Sequence, residues 1–149
     1  MSDIYWGLPD PALHGEFYAD LPAKRLIAWV VDTVLILAIS VLVVPFTAFT
    51  AIFYFPLLAM TIGFAYRVVT LARGSATWGM RLVAIEFRTA QGQRFDVGMA
   101  VAHTLLFSIF FTFVFPQIVS IVLMLTGPRR QGLPDLILGS AAINRAAAA

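Results

Sequence analysis

The chain has no cysteine. Its absence excludes disulfides, thiolate metal sites, a cysteine nucleophile and palmitoylation. Charge is scarce as well: 12% of the 149 residues are charged, where soluble domains carry about a quarter. The formal net charge of +2 is too small and too dispersed for nucleic-acid binding. No series of ten-residue alternating strands is present, which excludes a spanning β-barrel. No internal repeat is visible, so the inverted-repeat plan of larger transporters is not evident. Residues 1–24 lack the basic cluster of a secretory signal and hold Asp3, Asp10, Glu16 and Asp20 among three prolines. They are expected to stay in place as a cytoplasmic amino-terminal segment.

What the chain does have is apolar sequence: 60% of its residues are hydrophobic and the mean hydropathy is +0.89. These residues fall in three blocks, each near or beyond the roughly 20 residues that cross a bilayer as a helix. In lipid the backbone must satisfy its own hydrogen bonds, so the prediction is an all-α membrane protein with about three transmembrane helices. The spans fall at about 26–47, 49–71 and 101–126, within one membrane domain of residues 25–145 followed by an Ala-rich tail at 146–149. The first two are joined near Pro45 and Pro56 by a stretch without lysine or arginine, whereas Lys24 and Arg25 precede the first span and Arg67, Arg73, Arg81, Arg88 and Arg94 gather at or beyond the end of the second. The positive-inside rule therefore places the amino terminus and segment 72–98 in the cytoplasm.

The third block, Met99 to Thr126, contains Pro116-Gln117 near its centre. Two courses are open. One kinked span would carry Arg129, Arg130 and Arg145 to the far side, against the charge rule; a helix broken near Pro116 and turning back would keep them inside but is short for two crossings. The expectation favours the single kinked span. In segment 72–98, Arg81, Val83, Ile85 and Phe87 share one side of an extended chain and Gln91-Gly92 supplies a turn, which predicts a short cytoplasmic β-hairpin-like segment at the membrane surface. The stretch around Asp135 reads as a short surface-lying segment.

Asp32 is the anomaly. It sits about two turns inside the first span, where an ionised carboxylate costs roughly 2.5–3.5 kcal/mol on insertion scales. Arg25 lies seven residues earlier on nearly the same helix face, about 10 Å away along the axis. Direct contact along the helix therefore needs help, and Arg67, Arg73, Arg81, Arg129 and Arg130 are candidates to supply the compensating charge. Two readings of Asp32 stand side by side: a satisfied interior carboxylate that fixes helix docking, or an ion or proton site. His103 is either an interfacial side chain with an ordinary hydrogen bond or a proton relay. His14 and Glu16 lack a third ligand, so no metal is expected. No nucleophile elbow, phosphate loop or paired-histidine motif appears, and neither an enzyme nor a cofactor is predicted. Gly74 and Gly79 read as turn and packing residues. Tyr5, Trp6, Tyr18, Trp29, Tyr66 and Trp78 fall near span ends, where an aromatic belt belongs.

Three stretches together, KRLIAWVVD, SATWGMRLVAIEFRTAQGQRFDVGMAV and RRQGLPDLILGSA, resemble the RDD family of small bacterial membrane proteins, over roughly residues 23–145. The family's arginine and two aspartates map onto Arg25, Asp32 and Asp135. Thr77 to Arg81 is similar to its T-hydrophobe-GKR element, with Met80 where lysine is common; Pro134 stands where many members have histidine, and His103 near a position often filled by arginine. The resemblance implies an inner-membrane protein of about three helices, with cation/proton antiport suggested for some members. From the residues and the resemblance together, Arg25, Asp32 and Asp135 are expected to form a polar cluster at the cytoplasmic side, serving ion or proton movement or else an accessory subunit's assembly. So few spans hardly enclose a water-lined route, so the expected partners beyond the lipid bilayer are further copies of the chain or a larger membrane complex.

Overall fold

Proline and left-handed backbone punctuate the apolar helices. The computed structural model describes residues 7–145; Tyr5, Trp6 and the 146–149 tail lie outside the described residues. Helix α1 (Leu21–Val43) starts with Pro22 in its first turn, where a missing N–H removes no intrahelical bond, and gives way at Val44 to a 3-10 turn containing Pro45. Ala48 and Phe49, both at positive φ, reverse the chain through a second 3-10 turn into α2 (Phe55–Gly74), which has Pro56 in its own first turn. The stretches 15–47 and 50–74 are each long and apolar enough to cross a membrane. Leu42, Phe46, Phe53 and Leu57 are exposed, as lipid-facing side chains are.

Helix α4 (Val97–Thr112) is capped by Asp96, which accepts a 2.8 Å bond from the Met99 amide. One extended residue, Phe113, separates it from α5 (Val114–Thr126), and the two helices are bent by 116°. The cause lies at Pro116. Its ring would clash with the carbonyl four residues earlier in a continuous helix, whereas in the first turn of α5 its missing N–H is harmless. The favoured single kinked span is thereby corrected: the chain turns back, and Arg130 and Asp135 meet Arg25 at the start of α1.

At that same end α3 (Trp78–Leu82), β1 (Ile85–Arg88), α6 (Leu133–Leu138) and β2 (Ala141–Asn144) form a polar cap on the helices. Strand β1 falls where the alternation of Ile85 and Phe87 predicts it, and the turn at Gln91-Gly92 is present, with the Thr89 amide donating to the Gln93 carbonyl at 2.8 Å. The partner strand is not local. β1 pairs antiparallel with β2, with Ile85 opposite Asn144 and Arg88 opposite Ala141, so the end of the chain completes the sheet in place of a hairpin. Lys24 Nζ donates to Asn144 Oδ1 at 2.7 Å, and the Asn144 amide donates to the carbonyls of Glu16 and Ala19, tying the amino-terminal segment to β2. The apolar core sits in this cap, around Leu21, Leu71, Ile85, Phe87, Ala100 and Ala141.

Candidate functional site

Three buried carboxylates organise the cap and its junction with the spans: Asp32 and Glu86, each 1% exposed, and Asp135 at 0%. A buried carboxylate is tolerated only when hydrogen bonds or opposite charge replace its water. Each of the three solves this differently.

Asp32 uses neutral donors. Tyr66 Oη on α2 donates to Oδ1 at 2.6 Å, Thr77 Oγ1 to Oδ2 at 2.6 Å, and the Gly79 amide to Oδ1 at 2.9 Å. The donors are held in turn: Tyr66 Oη accepts from the Trp78 amide and Thr77 Oγ1 from the Met80 amide. Asp32 thus seats the start of α3 on α1. A Cβ at residue 79 would lie 2.3 Å from the Ala28 carbonyl oxygen and 2.8 Å from Asp32 Oδ1, so glycine is required for the approach.

Asp135 uses basic side chains. Arg25 Nη1 lies 2.7 Å from Oδ2, which also accepts from the Gly132 amide at 3.1 Å. His103 Nε2 lies 2.8 Å from Oδ1, and Ser140 Oγ donates to the same oxygen at 3.2 Å. Phe87 backs both basic groups, with the Arg25 guanidinium 5.3 Å above its ring and the His103 ring 4.4 Å away. Burial pushes the Asp135 carboxyl toward its neutral form. The Arg25 charge, followed by the bond and charge of His103, overcomes that and holds it well below the usual carboxylate range. One side chain on α6 therefore joins α1 to α4.

Glu86 on β1 gathers arginines: Arg88 Nε at 2.7 Å, Arg145 Nε at 3.1 Å and Arg94 Nε at 3.5 Å. Nothing in its local sequence singles it out except Arg88 two residues on, which shares its side of a strand.

The residues anticipated from the sequence are therefore divided. Arg25 and Asp135 meet, with His103 as a third member, while Asp32 binds Tyr66, Thr77 and Gly79. Arg67 lies 4.3 Å above the Phe107 ring. Arg81 Nε donates to the Ala76 carbonyl, and Arg81 and Arg73 line a surface pocket together. The Arg130 carbonyl accepts from Arg25, and Arg129 interacts with Tyr18. Tyr66 and Thr77 carry no signal as acid partners in the sequence, since a hydroxyl on an apolar helix or in a turn has many local uses.

Between α1, α2, α4 and α5 lies an apolar cavity of about 600 Å³, lined among others by Trp29, Phe107, Phe111 and Gln117 and reached by Arg25, Asp32 and Arg67. Among the described residues no carboxylate lies within ion-pair distance of Arg67.

Two apolar hairpin helices, a bent third pair and a cap built on buried acids define a small helical membrane protein. The model of the RDD family matches residues 20–139, and the chain belongs to that family. No curated protein and no solved structure matches it.

Proposed function

We propose that this chain is a non-catalytic accessory subunit of a larger membrane complex, receiving a partner's apolar membrane segment in the cavity between α1, α2, α4 and α5. The observation that carries this reading is Arg67. It lies about two turns inside α2, lines the apolar cavity that Asp32 also reaches, and has no carboxylate within ion-pair distance among the described residues. A charged side chain at membrane depth belongs with a counter-charge. Helix side chains lean toward the helix amino terminus, which carries Arg67 away from the nearer end of α2. Within the spans the chain's own acid is Asp32, already enclosed by its three donors. A second copy therefore supplies no free carboxylate, and the partner is a different protein whose segment carries one. Charge supports the orientation: Arg25, Arg73, Arg81, Arg94 and Arg145 lie in or beside the cap, which favours a cytoplasmic cap, and the family resemblance favours a bacterial inner membrane.

The test is the size of the particle extracted from native membranes in mild detergent. Wild-type chain is expected in a complex larger than itself, Arg67→Lys in the same complex, and Arg67→Ala alone. Equal sizes for wild type and Arg67→Ala would refute the reading.

A second reading, movement of an ion or proton, is favoured by the fact that Asp32 lines the same cavity. It requires purified protein in liposomes to pass a cation or proton and Asp32→Asn to stop it. Both oxygens of Asp32 are already engaged by Tyr66, Thr77 and the Gly79 amide, which sets this reading second.

A further inference from the structure

A second pocket lies in the cap, at the Gly74 end of α2, away from the intramembrane cavity. Its volume is about 270 Å³, and it is lined by Arg73, Gly74, Arg81, Arg94 and Arg145. Four guanidinium groups around so small a space repel one another unless an anion joins them. The nearest built-in anion is Glu86, but it is fully buried beside the pocket and shared by Arg88, Arg94 and Arg145. Arg73 and Arg81 receive no carboxylate among the described residues. Five arginines thus face one acid.

The arrangement is also positioned. Arg81 Nε donates to the Ala76 carbonyl at 3.2 Å and its Nη2 to the Thr70 carbonyl at 3.5 Å, which orients the guanidinium at the end of α2. Gly74 makes room for it: a Cβ at that position would lie 2.5 Å from Arg81 Nη2. Glu86 orients Arg94 and Arg145 from the other side. The result is a set of planar, multiply donating cations of the kind that match the tetrahedral oxygens of a phosphate.

We propose that this pocket binds a phosphate oxyanion, either the headgroup phosphate of an anionic lipid at the surface from which α2 emerges or a free phosphate in solution. The two sources share one chemistry, and two arms of one experiment separate them. Full-length protein is placed in phosphatidylcholine nanodiscs and its thermal unfolding is followed as inorganic phosphate is titrated at constant ionic strength, with chloride as control. In parallel, phosphatidylglycerol is added to the discs without phosphate.

A saturable rise in the unfolding midpoint with phosphate alone assigns a soluble ligand; a rise with phosphatidylglycerol alone assigns a lipid headgroup; a rise in both assigns a phosphate site open to either. In each case Arg73→Gln together with Arg81→Gln is expected to weaken the effect by about tenfold or more. Both side chains are exposed and neither holds Glu86, so folding is preserved; the midpoint of the double variant in phosphatidylcholine alone verifies this. If that midpoint has fallen, Arg73→Gln alone, which removes no hydrogen bond seen in the structure, serves as the variant and is expected to weaken the effect severalfold. No rise in either arm, or a rise that the substitutions leave unchanged, overturns the proposal.

Discussion

Asp32 and Asp135 are equally hidden from water, and both hold a later segment of the chain against α1, yet the groups around them have little in common. Asp32 is about 16 Å along α1 from its start, and two hydroxyls and an amide surround it. Asp135 lies in the cap, where Arg25 and His103 surround it with an amide and a hydroxyl. The difference follows from surroundings. At membrane depth each added charge brings its own desolvation penalty, so neutral donors that already exist within α2 and at the start of α3 are the less costly solution. In the cap, Arg25 remains partly exposed, its side chain retaining 15% of its accessibility, so a cation there keeps some hydration while it neutralises the acid.

The largest expected effect breaks the charged site. Asp135→Ala leaves Arg25 and His103 facing an emptied position and is expected to lower stability by about 3–5 kcal/mol in thermal or denaturant unfolding of the protein in nanodiscs. A loss below about 1 kcal/mol would mean that both bases regain water and that the pair is no anchor. Next, Gly79→Ala strikes the neutral site by sterics, and the clash with the Ala28 carbonyl is expected to cost about 3 kcal/mol, the upper part of the overpacking range. A neutral result would show that α3 does not rest on α1 as described.

Tyr66→Phe removes a single donor from Asp32 and is expected to cost about 1.5–3 kcal/mol, with Thr77→Val similar and the pair non-additive because both bind one carboxylate. Additive losses would separate the two bonds and weaken the picture of a shared site. Acid sharpens the contrast further. The Asp135 carboxyl is depressed in the folded state, so its contribution is complete above the unfolded value of about 3.9 and is lost as pH falls through the folded value. The stability difference between wild type and Asp135→Asn is therefore expected to shrink as pH falls below about 4, where the unfolded carboxyl takes up its proton first. A difference that stays the same below about pH 4 would contradict a carboxyl held ionised by its surroundings. The smallest effect is His103→Gln, which keeps a hydrogen-bond donor toward Asp135 and is expected to cost about 1 kcal/mol or less in the same unfolding measurement.

Much of the frame is legible in the chain itself because it depends on solvent. Long apolar runs between prolines can only be helices in lipid, and the ends of α1 and α2 differ from the expected spans 26–47 and 49–71 by three to six residues. The alternation around Ile85 and Phe87 marks β1. Its partner carries no such mark, since Ala141 to Asn144 lacks the branched and aromatic residues that announce a strand, and it pairs only because the returning chain delivers it to β1. Around Pro116 the charge rule and the length of the block point in opposite directions, and the geometry at Phe113 decides between them. Asp32 stands out from sequence as an expensive residue. Its partners do not, because Tyr66 and Thr77 lie 34 and 45 residues away and hydroxyls are common.

The sequence by itself determined that this is a helical membrane protein and that Asp32 is a charge inside one of its apolar spans, and its resemblance to the RDD family singled out Arg25, Asp32 and Asp135 for attention. The helical membrane character follows from composition and run length, and the cost of Asp32 from its charge inside a span; the weight on Arg25 and Asp135 comes from the family resemblance. Only the tertiary structure decided that Arg25 serves Asp135 and not Asp32, that the third apolar block turns back, and that Arg67 lines an apolar cavity with no carboxylate within ion-pair distance among the described residues. Pairing depends on where distant segments meet in space, and a hydrogen bond reaches about 3 Å whatever the separation along the chain.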